Sequence, residues 1–409
     1  MTENTDATNT TTDTRPLDGI RVIELAQWVA APAAAGTLAD WGADVIKVEA
    51  PSGDPQRSMF AAVGIDKQIP NPSFAQDNRG KRSVVLDLRS GDGRAAFESL
   101  LGTADVFVTN LRSDALERLG LAPADVAERH PRLIVASLTG YGAVGPARDV
   151  PGYDIGAFVA RTGLARTNAP EDAPPVNLKG AIGDHMTGIT TVSAIMAGLF
   201  QRERTGQGMV VETSLFQTGM YGVSWDLSTQ ATFGRLSRMK PRETYDQPLV
   251  NSYRAGDGRW FYLIGLEMMR HFPGVCRAIE QPDLPEDARF STGGTVRENR
   301  AELIAILDSA FASQPLEHWA ERFDAEDVWW APCQTMAEVV ADPQAIALGT
   351  LIETEDNSFT GDLPDGPIRT VATPARFNGE VFHPRRPVPA LGEHTTEVLA
   401  ELPDERTAT

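Results

Sequence analysis

The fold is read from residues 20–50, IRVIELAQWVAAPAAAGTLADWGADVIKVEA. IRVIEL (20–25) is a short, mostly apolar run of the kind shown by a strand buried on both faces. A helix of small residues follows over about 32–41, Gly42 marks a turn, and DVIKVEA (44–50) is a second strand. The unit recurs in SVVLDL (83–88), a helix over about 91–101, and DVFVTN (105–110). RLIVASL (132–138), a long apolar helix over about 185–202 and MVVETSL (209–215) continue it. Strands alternating with helices of this length predict an α/β layer around a largely parallel sheet.

Working outward, residues 16–228 form the first part of a large domain. Residues 229–335 change character, with short strands such as RWFYLIG (259–265) and helices broken by Pro and Gly, as in QPDLPEDARF (281–290). They read as a smaller, mixed α/β domain. From 336 to 409 the Pro-rich FHPRRPVPALG (382–392) suggests an extended return that completes the large domain. Residues 1–15 are polar and acidic and read as a disordered tail.

Composition excludes several classes. A net charge of −19 disfavours nucleic acid or an anionic membrane surface as the main partner. No apolar run reaches the roughly 18 residues of a membrane span. Two cysteines, Cys276 and Cys333, without close spacing, argue against a disulfide framework and for a reducing cytoplasm. The six histidines are scattered and no metal motif occurs, so no metal site is expected. Gly140, Gly142 and Gly145 imitate a dinucleotide loop, but Pro146, Pro151 and Gly152 break the helix that loop must open. Those glycines instead read as a tight turn bringing backbone close to a ligand.

What remains is carboxylate chemistry. Asp184 stands in KGAIGDHMTGITTVSAIMAGLF (179–200), reached through glycine and followed by an apolar helix. Its position alone leaves two readings open: a helix N-cap, or a nucleophile beside backbone amides that would steady an oxyanion.

Several blocks in order then carry a resemblance: PLDGIRVIEL, LADWGADVIKVEAPSGD, NRGKRSVVLDL, ALERLGL, LTGYGAVGP, PGYDIGAF, GDH-x-x-G and RERTGQGMVVETSL. The chain resembles the family III (CaiB/BaiF) CoA-transferases from about Pro16 to its C-terminus, and among them members acting on aryl, branched or steroid-like acyl groups. The resemblance implies a Rossmann-like large domain and a small domain, with two subunits threaded through each other as an obligate interlocked homodimer. It implies an acyl-CoA donor and a carboxylic acid acceptor, with coenzyme A as substrate and no permanently bound cofactor. Asp184 falls at the family's nucleophile, which would carry CoA as an aspartyl thioester reached through a mixed anhydride.

The alternative is an α-methylacyl-CoA racemase or epimerase of the same fold. Those enzymes pair the aspartate with a histidine at the place of Tyr153. A phenol titrates near about 10 and an imidazole near about 6.5, so the tyrosine is the poorer proton shuttle and transfer is favoured. By the same resemblance Tyr153, Asp154, Val29 and His185 would wall the acyl pocket. Val29 stands where some formyl-CoA transferases carry glutamine, and their run of four glycines is missing, so a substrate larger than formate is expected. Leu86, Arg89, Asn110, Leu111, Arg112 and Arg118 match positions that contact CoA. The basic cluster Asn78, Arg79, Lys81 and Arg82 reads either as a candidate for the 3′-phosphate or as a charge run flanking a turn.

Overall fold

The computed structural model describes residues 14–59, 70–236, 238–359 and 367–403. Most of the expected tail lies outside these residues, but Arg15 belongs to the folded body. It is buried and donates to the carbonyls of Asp40 and His383.

Six strands form one wholly parallel sheet: β1 (Arg21–Leu25), β2 (Asp44–Glu49), β3 (Arg82–Val85), β4 (Val106–Thr109), β5 (Ile134–Thr139) and β6 (Met209–Ser214). Their order is β3-β2-β1-β4-β5-β6, that of doubly wound nucleotide-binding sheets. In register, Ile23 of β1 lies between Ile46 and Phe107. From β1 the chain builds outward to β3, then returns to add β4 on the other side. The order therefore reverses between β1 and β4, and their carboxyl ends border a crevice where ligands bind in such sheets.

The crossovers include α1 (Ala30–Asp40), α2 (Pro72–Asn78), α3 (Gly91–Gly102), α4 (Ser113–Leu119), α5 (Pro123–Arg129) and α6 (Ile182–Thr205), and α7 (Leu215–Gly222) follows β6. Helices α2, α4 and α5 are short and were not anticipated. Asn71 starts α2 by accepting the Phe74 N–H, with Pro72 next in line. Helix α1 is almost wholly buried because its side chains are small. A Cβ on Gly188 of α6 would lie 2.9 Å from the Ala30 carbonyl oxygen and 3.3 Å from the Ala33 Cβ. Glycine thus lets the two helices touch at backbone level, which sets the start of α6 beside the start of α1.

The apolar core of the sheet is filled by Ile23, Ile46, Phe97, Phe107 and Val135. Within it sits a dry ionic cluster. Lys47 Nζ lies 2.8 Å from Glu24 and 2.9 Å from Asp54, and Lys81 Nζ lies 2.6 Å from Glu24, all four side chains fully buried. This overturns the phosphate reading of residues 78–82. Asn78 and Lys81 bond each other, Arg79 pairs with Asp40, and Arg82 with Asp44 and Glu401. These cations are consumed by internal carboxylates, since burying a charge unpaired is far costlier than pairing it.

The chain clusters into two compact units. The larger comprises residues 1–164, 177–228 and 343–409. The smaller comprises 165–176 and 229–342, so it also takes a loop from the first stretch and ends a few residues beyond the expected 335. The small unit has a three-stranded antiparallel sheet, Ser252–Arg254, Trp260–Leu263 and Trp330–Pro332, over an aromatic core of Tyr253, Phe261, Phe272, Phe311 and Phe323. The return is more regular than expected. Leu351–Thr354 pairs antiparallel with Ile368–Val371, and helix Thr395–Ala400 docks Val398 into the large unit's core. Among the described residues no helix is long and apolar enough to cross a membrane, and both cysteines are free thiols.

Candidate active site

The reversal point is braced before any functional group is placed. The Asn110 side chain, just past β4, accepts the Gln27 N–H at 2.9 Å and donates to the Gln27 carbonyl at 2.6 Å. The next residue, Trp28, has φ 66°, unusual for a bulky side chain, and its N–H donates to Asp54 at 3.1 Å. Those bonds hold the strained turn that opens α1. Val29 is the N-cap of α1 and offers no side-chain bond. The start of α1 thus has no side-chain cap, and the helix dipole there favours negative charge.

Helix α6 begins differently from the expectation. Its N-cap is Ala181, in the left-handed conformation at φ 54°, and Asp184 lies within the first turn. The cap is supplied by Asp154, whose Oδ2 accepts the Gly183 N–H at 3.2 Å. A Cβ on Gly183 would fall 2.3 Å from Phe158 Cγ and 2.4 Å from Asp154 Oδ1, so only glycine admits this packing. Relieved of capping, the Asp184 carboxylate makes no hydrogen bond among the described residues. Burial first, then the charges of Asp154 and Asp77, push its pKa up to about 7, while His185 pulls it down.

Asp184 opens on a cavity of about 470 Å³ lined also by Gln27, Trp28, Val29, Ala30 and Tyr153. Trp28 and Tyr153 meet edge to face across 6.2 Å. The loop carrying Tyr153 is seated by two glycines back to back: a Cβ on Gly140 would lie 2.7 Å from the Gly152 Cα. The tight approach expected of the Gly140 turn is thus made in part to the chain's own backbone. CoA-transferase family III, as a family, matches residues 17–395.

The chain belongs to CoA-transferase family III. It is 33% identical to the (R)-2-hydroxy-4-methylpentanoate CoA-transferase of Clostridioides difficile, over 94% of this chain and 95% of that one. It is 31% identical to the cinnamoyl-CoA:phenyllactate CoA-transferase of Clostridium sporogenes, over 95% and 94%. A crystal structure of a CAIB/BAIF family protein from Brucella suis superposes with a TM-score of 0.82 at 29% identity, covering 95% of this chain and 100% of that one.

In this CoA-transferase a second cavity, of about 510 Å³, runs along the carboxyl ends of β1, β2 and β3. Leu86, Arg89 and Leu111 line it, and Gln27 and Leu111 line both cavities. Asn110 and Arg112 border the cavity of Asp184. The Asn110 amide is committed to Gln27, so it is a strut as much as a contact. Arg89 is paired with Asp87 and largely exposed, and Arg118 pairs with Asp114 at 3.1 Å and lines neither cavity.

Two expected pocket residues point elsewhere. Asp154 does not line the Asp184 cavity; it sits behind the start of α6, with Oδ1 buried and unpartnered. The His185 ring faces Asp77 and a separate cavity of about 370 Å³. Neighbours on a helix diverge by about 100°, so adjacency to Asp184 in sequence does not give adjacency in the pocket. Sequence reasoning missed Trp28 altogether. Its only signal was a bulky aromatic in the turn between a buried strand and a helix of small residues.

Proposed function

We propose that the protein moves CoA from an acyl-CoA donor to a carboxylic acid acceptor by way of Asp184. The observation that carries this is an unpaired, largely buried carboxylate sharing a cavity with the uncapped start of α1. An Asp184 oxygen attacks the thioester carbonyl carbon; the C–S bond breaks, leaving a mixed anhydride and CoA thiolate. The thiolate then attacks the aspartyl carbonyl carbon, and the C–O bond breaks to release the donor acid. The acceptor carboxylate reverses both steps on the aspartyl-CoA thioester. One activated acyl replaces another throughout, so neither ATP nor a metal is required. The Ala30 amide, at the uncapped start of α1 on the same cavity, is assigned to the transient oxyanions. The amides of Gly183 and His185 are already bonded to Asp154 and the Ala181 carbonyl.

The CoA nucleotide is assigned to the cavity of Leu86 and Arg89, with the pantetheine passing Leu111 to reach Asp184. Arg112 and Arg118 are assigned to its phosphates, Arg118 through rearrangement of its exposed pair with Asp114. Trp28, Val29, Tyr153, Leu138 and Leu215 give the acyl side an apolar wall. This favours a carboxylate with a branched or aromatic body, the kind named in the two relatives above. Two copies are taken to assemble as an interlocked dimer, a reading supported by large apolar side chains left exposed at Phe200, Tyr221 and Trp225. A reducing cytoplasm suits the two unpaired thiols.

The test is hydroxylamine trapping during incubation with a panel of acyl-CoAs, read by intact mass and peptide mapping. A hydroxamate on Asp184, with Asp184→Ala inactive by at least about a thousandfold, is the expected result. No adduct from any donor, with deuterium instead entering an acyl-CoA α-position, would replace transfer by racemisation.

A further inference from the structure

We propose that His185, fixed as an imidazolium between Asp77 and the Ala181 carbonyl, is a positioning residue that keeps the neighbouring Asp184 carboxylate in its anionic, attacking form. The proposal rests on Asp184 being the nucleophile. Nδ1 of His185 lies 3.0 Å from the Ala181 carbonyl oxygen and Nε2 lies 3.1 Å from Asp77 Oδ1. A carbonyl and a carboxylate both only accept. A neutral imidazole has a single N–H, and would leave one of these contacts as acceptor against acceptor. With both nitrogens protonated each contact is satisfied and the ring carries a charge.

The Asp77 carboxylate is buried, and its other oxygen accepts from the Gln56 amide at 3.1 Å, which fixes its orientation. Among the described residues the charged groups around the ring are few. Asp77 comes from α2 and Arg79 follows directly after that helix, and Arg79 is tied to Asp40 at 2.7 Å. Asp184 comes from α6 itself and Asp154 from the segment packed against its start. Asp154 and Asp77 both oppose a negative charge on Asp184, and His185 is the group that favours it. Consistently, the hydrogen bond that His185 donates to Asp77 raises the histidine's own pKa against the effect of burial.

The division of space supports the role. The imidazolium lines the cavity of about 370 Å³ with Thr37, Met186 and Val371, while Asp184 lines the cavity of Trp28 and Tyr153. The ring can act on its neighbour through the field of its charge without occupying acyl space or exchanging protons with substrate. An attack that needs the anion gains from this wherever Asp184 would otherwise be protonated.

Two measurements decide it. Ring nitrogen NMR of labelled wild-type protein should show both His185 nitrogens protonated at pH 7, and Asp77→Asn should bring the titration down toward that of a free imidazole. A neutral ring at pH 7 in the wild type overturns the proposal whatever the enzyme's activity. In His185→Gln, the acid limb of single-turnover hydroxamate formation should move up by about one pH unit. That is about tenfold slower trapping at pH 6 with rates converging on wild type above pH 9. An equal loss at every pH, with the midpoint unmoved, overturns the proposal and leaves Asp184 as nucleophile. Absence of any adduct in the wild type removes the underlying reading, and the proposal with it. Should the glutamine variant fail to fold, the NMR result on the wild type still decides.

Discussion

Asp184 is held where burial opposes the charge its chemistry requires, and that conflict can be measured. Its pKa rises from 3.8 to about 7 on folding. The folded state therefore binds the proton more tightly than the unfolded chain. The associated stability is complete below about pH 4 and is lost as pH rises through about 7. On the proposed mechanism activity has the opposite slope, because only the anion would attack: turnover should fall as pH drops below about 7. Asp184→Asn should then be inactive yet more stable than wild type by about 2–4 kcal/mol at pH 8, partial solvent contact trimming the full-shift value. At pH 4 the gain should vanish. Urea denaturation at the two pH values checks this, and equal stability at both would mean the carboxylate is not destabilised by its site.

At the scale of elements, the site is the meeting of two helix starts. Helix α1 brings a start without a side-chain cap and α6 brings the carboxylate, and Gly188 sets their spacing by letting α6 rest on the Ala30 carbonyl. A Cβ there has no flexible side chain to displace, since the atom it meets is backbone. Gly188→Ala should push the helices apart by a fraction of an ångström and lower kcat about tenfold or more, with far-UV circular dichroism unchanged. A variant with full activity would separate the spacing of the helices from the chemistry. The strands and long helices at this scale were legible, because a buried parallel strand needs an apolar run and a crossover helix needs length. Short α2, α4 and α5 were not, because a helix of seven residues shows too few turns for its periodicity to register.

For the whole molecule, the exposed aromatic surface matters most. Phe200, 67% exposed, and Tyr221, 82% exposed, leave apolar area in water that a second copy would cover. The double change Phe200→Glu with Tyr221→Glu should shift the protein from dimer to monomer in sedimentation velocity, with activity falling alongside. A stable monomer in the wild type would end the interlocked reading.

Sequence by itself determined the parallel sheet, because apolar runs and turn glycines are local features; the Gly183–Asp184 step left a cap and a nucleophile open, and the family resemblance favoured the nucleophile. Val29, Tyr153, Leu86 and Leu111 were singled out by the resemblance of the surrounding blocks to the family. Only the tertiary structure decided which charges were available. The cluster at 78–82 reads as a basic patch along the chain, yet Asp40, Glu24, Asp44 and Glu401, most of them far off in sequence, neutralise it inside the fold. The same holds for Asp154 and His185. One caps α6 and the other pairs with Asp77 from a different helix, arrangements made by packing between elements that no local pattern encodes.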